Sequence, residues 1–340
     1  MKICNLFKIL IFTLTLYLLP SQKARSQAVF VYDVNGEEVL AAKNELAKLY
    51  PASTTKVMTL YIASDAIKSG KIGIYDKISV SRESARQQRT TANLEYDEEI
   101  TFKNLMLLAG TISANDAAYA IADGISNQNT SLFIKSMNEK ANELKMYGTN
   151  FANPTGLHHD DQYSNAHDIG IMMQNFMKNH RGYSGALKSN GIFFKGKYYS
   201  PVNLVGQNYK CMKGFKTGFT AKAGYNIVTN VKCKDYNIVA TLLNFNTSRD
   251  RDFYLAEVLN YALEKVGEKK YQDKRDFYMT LERNDDEIYS TKIVFMQFLP
   301  FLHGNKYYTV LSNIADYAYN DYIKQHVDYV MRSNIPFPKK

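Results

Sequence analysis

A serine alcohol becomes a nucleophile only when a neighbouring base takes its proton. In the stretch YPASTTKVMTLYIA, Tyr50 to Ala63, Ser53 stands at i and Lys56 at i+3, at the threshold of an apolar run. On a helix these two positions share a face, so the Lys56 amine reaches the Ser53 hydroxyl. Lysine serves as the base once burial or nearby positive charge lowers its pKa. A helix N-terminus adds to that field and supplies free backbone N–H groups suited to an oxyanion. The competing reading makes Ser53 a plain N-cap, since Ser and Thr start many helices and two letters at fixed spacing recur by chance.

Two further segments carry complementary chemistry. SANDAA places Ser113 and Asn115 just before a helical run, as a loop presenting a hydroxyl and an amide to one cavity. GFKTGFTAKAGYN places Lys216, Thr217 and Gly218 at the end of a predicted strand: a cation, a hydroxyl, and a glycine that lets a substrate chain approach the strand edge. Taken singly, each has an ordinary alternative: Ser113 as a cap, Lys216 as a solvated edge lysine, Gly218 as a turn residue. A fourth cluster, His158, His159, Asp160 and Asp161, has zinc-ligand types. Adjacent loop side chains seldom aim at one ion, and a third ligand such as His167 would have to return, so no metal site is expected.

The elements that must position these groups follow from periodicity. Apolar residues flank Asn35-Gly36, the dipeptide of tight hairpins whose two central residues need positive φ, so two strands open the globular part. After the Ser53 helix come a polar stretch, Ser79 to Glu99, and then TFKNLMLLAGTISANDAAYAIADGI and NTSLFIKSMNEKANELKMYG, both with helical spacing. From Phe193 the runs GIFFKGKYYSP, YKCMKGFKTG, GYNIVTNVKC and YNIVATLLNF read as strands, and TSRDRDFYLAEVLNYALEKVG as a helix capped by Thr247 or Ser248. Strands at both ends with helices between predict an α+β fold: one antiparallel sheet flanked by helices, plus a mainly helical subdomain at about 76–185.

The three chemical segments occur in the order S-x-x-K, S-x-N, K-T-G, each in the matching context of helix start, loop and strand. With YPASTTKVMT, TISANDAAYAIAD, FANPTGLHHDDQYSNAHDIGIMM and GFKTGFTAKAGYNIV, the chain resembles the low-molecular-mass penicillin-binding proteins, the serine D-alanyl-D-alanine carboxypeptidases, from about Ala28 to Gly267. That resemblance implies a β-lactamase/transpeptidase-like fold and a serine acyl-enzyme hydrolase acting on peptidoglycan stem peptides ending in D-Ala-D-Ala, with β-lactams as covalent inhibitors. It implies Ser53 as nucleophile, Lys56 as proton acceptor and Ser113 as proton relay. Asn115 would hold Lys56 and the substrate backbone, Lys216 and Thr217 would bind the terminal carboxylate, and the N–H groups of Ser53 and Phe219 would form the oxyanion hole. No metal or organic cofactor is implied. Ala114 departs from the Gly or Asp frequent in the second motif without losing a catalytic group. The loop FANPTGLHHDDQYSNAHD contains no glutamate of the deacylating β-lactamase type, which favours slow penicillin release. A D,D-endopeptidase, or an inactive wall-binding homologue, stands as the alternative.

Composition sets the setting. The 340 residues are 45% hydrophobic and 22% charged, enough for one large domain and a smaller one. MKICNLFK, the apolar run Ile9 to Pro20, and SQKARSQ have the order of a secretory signal ending before Gln27, with an uncleaved anchor as the other reading. Export to the periplasm is expected, with residues 27–267 as the catalytic domain and 268–340 as an extension of unknown role. Loss of Lys2, Lys8, Lys23 and Arg25 lowers the formal charge from +9 to +5. With no Lys/Arg block, a nucleic-acid footprint is unsupported, while peripheral contact with an anionic membrane or wall is allowed. The β-sandwich of many relatives is not evident after Glu268. There a tyrosine-rich segment, Leu311 to Met331, reads as a helix packed on the main domain. Cys211 and Cys233 face each other if Lys216 pairs with Ile227 or Val228, but a one-residue slip separates them. Both arrangements stay open.

Overall fold

The computed structural model describes residues 26–188, 191–200, 209, 211–233 and 235–266. Residues 1–25 of the expected signal, and the segment after 266 with its expected tyrosine-rich helix, lie outside the described residues.

Strands β1 (Ala28–Asp33) and β2 (Glu38–Lys43) form the opening hairpin. Helix α1 (Lys56–Lys68) follows, then β3 (Lys77–Ser79), the one-turn helix α2 (Arg82–Ala85) and β4 (Glu99–Thr101). Next come α3 (Phe102–Thr111), α4 (Asn115–Ser126), α5 (Thr130–Glu143) and α6 (Ala166–Asn179). A small hairpin, β5 (Ile192–Phe194) with β6 (Lys197–Tyr199), precedes three long strands, β7 (Met212–Thr220), β8 (Gly224–Lys232) and β9 (Asn237–Phe245), and the helix α7 (Ser248–Lys265). The fold is α+β. Five antiparallel strands make one sheet in the order β2-β1-β9-β8-β7, so among the described residues the first strands close against the last.

Strand β1 is buried on both faces, and its alternation sorts two layers. Val29 and Val31 join Ile238, Ala240 and Leu242 of β9 under Leu255, Leu259 and Leu263 of α7. Ala28 and Phe30 face Ala166 of α6. Helix α1 is buried along nearly its whole length, from Lys56 to Ser64, and packs against α3, α4, α5 and α6. A helix buried on all sides belongs at the centre of a helical layer, and that is where the segment after Ser53 lies.

Two elements differ from the sequence expectation. The opening hairpin has a four-residue loop in which the left-handed residue is Glu37, φ 53°, and not Asn35 or Gly36. The Asp33 carboxylate accepts from Asn35 N at 3.0 Å, an Asx turn that widens the loop. The run at Ile192 to Tyr199 does not join the main sheet. It forms its own hairpin, with Lys195 and Gly196 both at positive φ, anchored by Lys195 Nζ to Glu98 (2.6 Å) and to the Asn93 carbonyl (3.2 Å).

Strands β7 and β8 pair with Lys216 opposite Val228, one of the two registers expected. Cys211 and Cys233 form a disulfide across the far end of this hairpin, Cα atoms 5.4 Å apart.

Candidate active site

Ser53 sits in a 3-10 turn, Ala52–Thr55, that runs directly into α1. Neither this turn nor α1 has a side-chain cap, so the Ser53 hydroxyl does not serve as one. The turn is shaped from outside. Ala52 has φ 49°, a left-handed conformation that an alanine adopts only under constraint. Gly156, itself at φ 81°, lies so close to the Ala52 carbonyl that any Cβ there would collide with it. A Cβ on Gly218 of β7 would stand 2.8 Å from Ser53 N and 3.0 Å from the Pro51 carbonyl. Glycine is required at both positions because the backbone of the Ser53 turn presses against them.

Lys56 is fully buried. Its Nζ lies 2.6 Å from Asn115 Oδ1, 2.6 Å from the Thr155 carbonyl and 3.2 Å from Ser53 Oγ. Burial is the main force holding its pKa well below the ordinary lysine value; the positive charge of Lys216 acts in the same direction, and Asp116 opposes both.

Ser113 lies in the short link between α3 and α4, buried and at φ 66°. Ala114 occupies the cap position of α4 and Asn115 is the first helical residue, so Ser113 is not the N-cap either. The Asn115 amide is oriented by its nitrogen, which donates to the Gln88 carbonyl at 2.8 Å. Asp116 accepts backbone N–H bonds from Ala92, Leu94 and Ala117, pinning the polar 86–97 segment to the start of α4.

Strand β7 is an edge of the sheet and packs against the Ser53 turn. Lys216 is buried, with Nζ donating to the Thr217 carbonyl at 3.0 Å; Thr217 is half-buried. Burial, and then the guanidinium of Arg251, bring the Lys216 pKa down to about 7. The Phe219 ring is exposed and stacks on Tyr225 with centroids 4.3 Å apart.

Sequence reasoning did not single out four contributors. The Thr155 carbonyl reaches Lys56 because Asn153 Oδ1 accepts from Thr155 N, Thr155 Oγ1 and Gly156 N, an Asx turn signalled by Asn153-Pro154-Thr155-Gly156. Asp116 adjoins Asn115 in sequence. Arg251 is buried on α7, pairs with Asp252 and donates to the Asn226 carbonyl at 3.2 Å. Asn226 binds the main chain ahead of Ser53. No local pattern announces the last two, since their partners are distant in the chain.

The His/Asp loop is otherwise engaged. His158 pairs with Asp160 at 3.1 Å and packs edge-on against Tyr50, while His167 meets Asp168 and Phe30. Among the described residues no three His, Cys, Asp or Glu side chains converge as metal donors. A cavity of about 370 Å³ lined by Ser81, Arg82, Tyr96, Tyr119 and Asp123 lies apart from the Ser53 cluster. Its buried carboxylate, Asp123, is satisfied by Ser81 and Ser84.

Residues 19–247 match the model of peptidase family S11, the D-alanyl-D-alanine carboxypeptidases. The chain belongs to family S11. One S11 relative, the D-alanyl-D-alanine carboxypeptidase DacF of Bacillus subtilis, is 31% identical over 250 residues, covering 71% of this chain and 62% of that protein. A D-alanyl-D-alanine endopeptidase of Haemophilus influenzae is 30% identical over 254 residues, covering 72% of this chain and 82% of its own length. The solved penicillin binding protein 5 of H. influenzae shares the fold with a TM-score of 0.66 at 25% identity, covering 72% of each chain. This S11 chain therefore has the transpeptidase-like fold expected. The match spans about three-fifths of the length of the curated carboxypeptidases.

Proposed function

We propose that this protein is a serine D-alanyl-D-alanine carboxypeptidase that removes the terminal D-alanine from peptidoglycan stem peptides and is acylated by β-lactams on Ser53. The observation that carries the reading is the coordination of Lys56. A neutral amine has two N–H bonds and one lone pair. The two contacts at 2.6 Å go to oxygens that only accept, the Asn115 amide oxygen and the Thr155 carbonyl, and in the neutral form they would take both N–H bonds. The third contact, to Ser53 Oγ at 3.2 Å, is one that the ammonium makes as donor and that the neutral amine would make with its lone pair. Burial pushes the Lys56 pKa well below the ordinary lysine value, which favours the neutral amine that a base must be.

The proposed reaction uses these groups in turn. As Ser53 Oγ forms its bond to the carbonyl carbon of the penultimate D-alanine, its proton passes to Lys56 Nζ. The N–H groups at Ser53, in the first turn where helix geometry leaves donors unpaired, and at Phe219 stabilise the oxyanion. The C–N bond then breaks, the leaving D-alanine takes its proton by way of Ser113, and water hydrolyses the ester on Ser53. Lys216 as ammonium, with Thr217, holds the terminal carboxylate, and Gly218 admits the peptide to the outer edge of β7. Residues 27–267 form the peptidase unit, exported to the periplasm by the signal and then freed of it, with the basic chain able to rest at the membrane or wall surface. Among the described residues no helix is long and apolar enough to cross a membrane.

Labelling with a fluorescent penicillin, read by intact mass and peptide mapping beside D-alanine release from a pentapeptide, tests this. An adduct on Ser53 with D-alanine release is expected, and Ser53→Ala abolishes both. Equal acylation of wild type and Ser53→Ala would overturn the mechanism. The endopeptidase relative matches this chain over more of its own length than DacF does, which keeps cross-link cleavage as the second reading. An adduct with cleavage of cross-linked dimers and no D-alanine release selects it.

A further inference from the structure

Asn226 lies on β8 directly across the ladder from Gly218, with no exposed surface. Its amide is fully committed. Nδ2 donates to the Tyr50 carbonyl at 2.9 Å and to the Pro51 carbonyl at 3.0 Å, while Oδ1 accepts from Asn244 N at 2.7 Å. The β8–β9 register breaks here: Tyr225 pairs with Phe245 and Ile227 with Leu242, so Leu243 and Asn244 stand opposite Asn226 alone. Asn244 is left-handed, φ 65°, and this bulge swings its N–H onto the Asn226 side chain.

The consequence concerns the turn bearing the nucleophile. Ala52 is held in a conformation it does not favour, so the turn is fixed by its neighbours and not by local preference. Gly218 sets how near β7 comes to Ser53, and Asn226 grips the two carbonyls that lead into the turn. We infer that Asn226 is a positioning residue: its carboxamide fixes Ser53 relative to Lys216 and Thr217, coupling the attacking oxygen to the groups that hold the substrate carboxylate. The inference rests on the proposed Ser53 acylation. Asn226→Asp is nearly isosteric yet turns a carboxylate oxygen toward two carbonyl oxygens, reversing the grip while keeping the acceptor for Asn244 N–H.

The test separates positioning from bulk stability by a matched control. Asn230, one pleat pair along β8, is equally buried and its amide bonds Asn237 and Ile238, away from Ser53. Penicillin acylation is resolved into noncovalent binding and the acylation rate constant for wild type, Asn226→Ala, Asn226→Asp and Asn230→Ala, with thermal melts alongside. Asn226→Ala and Asn226→Asp should lower the rate constant on the order of tenfold to a hundredfold, the usual effect of misplacing a reacting group, with noncovalent binding unchanged. Asn230→Ala should lose stability and keep its acylation rate. Hydrogen exchange over residues 50–58 supplies a readout that needs no chemistry: it should accelerate in the Asn226 variants alone. Should Asn226→Ala not fold, Asn226→Ser is read in the same way. Wild-type rates and exchange in the Asn226 variants, or equal slowing in Asn230→Ala, would overturn the inference. A wild type that is not acylated on Ser53 would instead remove the proposed function, and the exchange data would still decide what Asn226 holds.

Discussion

The amide oxygen of Asn115 faces Lys56 Nζ at 2.6 Å because its amide nitrogen is held by the Gln88 carbonyl at 2.8 Å. Replacing Asn115 by Asp puts a negative charge where a neutral acceptor stood and favours the Lys56 ammonium. The acid limb of the acylation pH profile should move up by roughly one to three units, the usual effect of an adjacent opposite charge. Acylation at neutral pH should slow accordingly. A stopped-flow pH series with a chromogenic cephalosporin measures both, and an unmoved limb would separate Asn115 from the charge state of Lys56.

Asp116→Asn should move the same limb the other way. Asp116 opposes the depression of the Lys56 pKa, so neutralising it lets the pKa fall further and extends acylation to lower pH. The carboxamide also sets an N–H against backbone donors that now share a carboxylate. A stability loss of about 1–3 kcal/mol is expected for a buried donor left unpaired, read from the urea midpoint.

Lys216 titrates at about 7 in the free protein, against an ordinary value of 10.5. A carboxylate ligand needs the ammonium, so its affinity should fall roughly tenfold per pH unit above 7, with proton uptake on binding. Calorimetry of a D-alanyl-D-alanine analogue in buffers of different ionisation enthalpy detects that proton. Folding follows the opposite trend. Because the folded pKa is depressed, the unfolded chain binds more protons between about 7 and 10.5, and stability from this group rises with pH across that window and is lost as pH falls through 7. The thermal midpoint should rise from pH 7 to 9, less steeply in Lys216→Met.

The Cys211–Cys233 disulfide closes a loop of sequence separation 22. Constraint of the unfolded chain by a loop of that length contributes about 3 kcal/mol. Cys211→Ser/Cys233→Ser, or reduction of the wild type, should lower the denaturant midpoint accordingly. Two free thiols in the denatured protein without reductant would end the idea.

Much of the site was legible because its chemistry is local. Ser53 and Lys56 share a helical turn, Lys216 to Phe219 are successive strand residues, and Asn115 starts a helix, so spacing alone brings each group together. The Cys211–Cys233 pairing was half legible, since it needed a register that two readings shared. The Asn35-Gly36 turn was misjudged because the side chain of Asp33, just outside the dipeptide, chose the loop length. The Ile192–Tyr199 hairpin was misassigned because alternating apolar residues state that a strand forms and not which sheet it joins.

The sequence by itself determined the class of elements, their order, and the residue types able to activate a serine and bind a carboxylate, since these depend on periodicity and side-chain chemistry. Only the tertiary structure decided that Ser53 is no cap, that the Lys56 Nζ is held by Asn115 and Thr155, and that Asn226, Gly156 and Gly218 mould the turn from distant parts of the chain. The physical reason is range. A pKa depends on burial and on charges brought near by folding, and the left-handed Ala52 depends on backbone packed against it from Gly156, so neither is encoded within a few residues of where it acts.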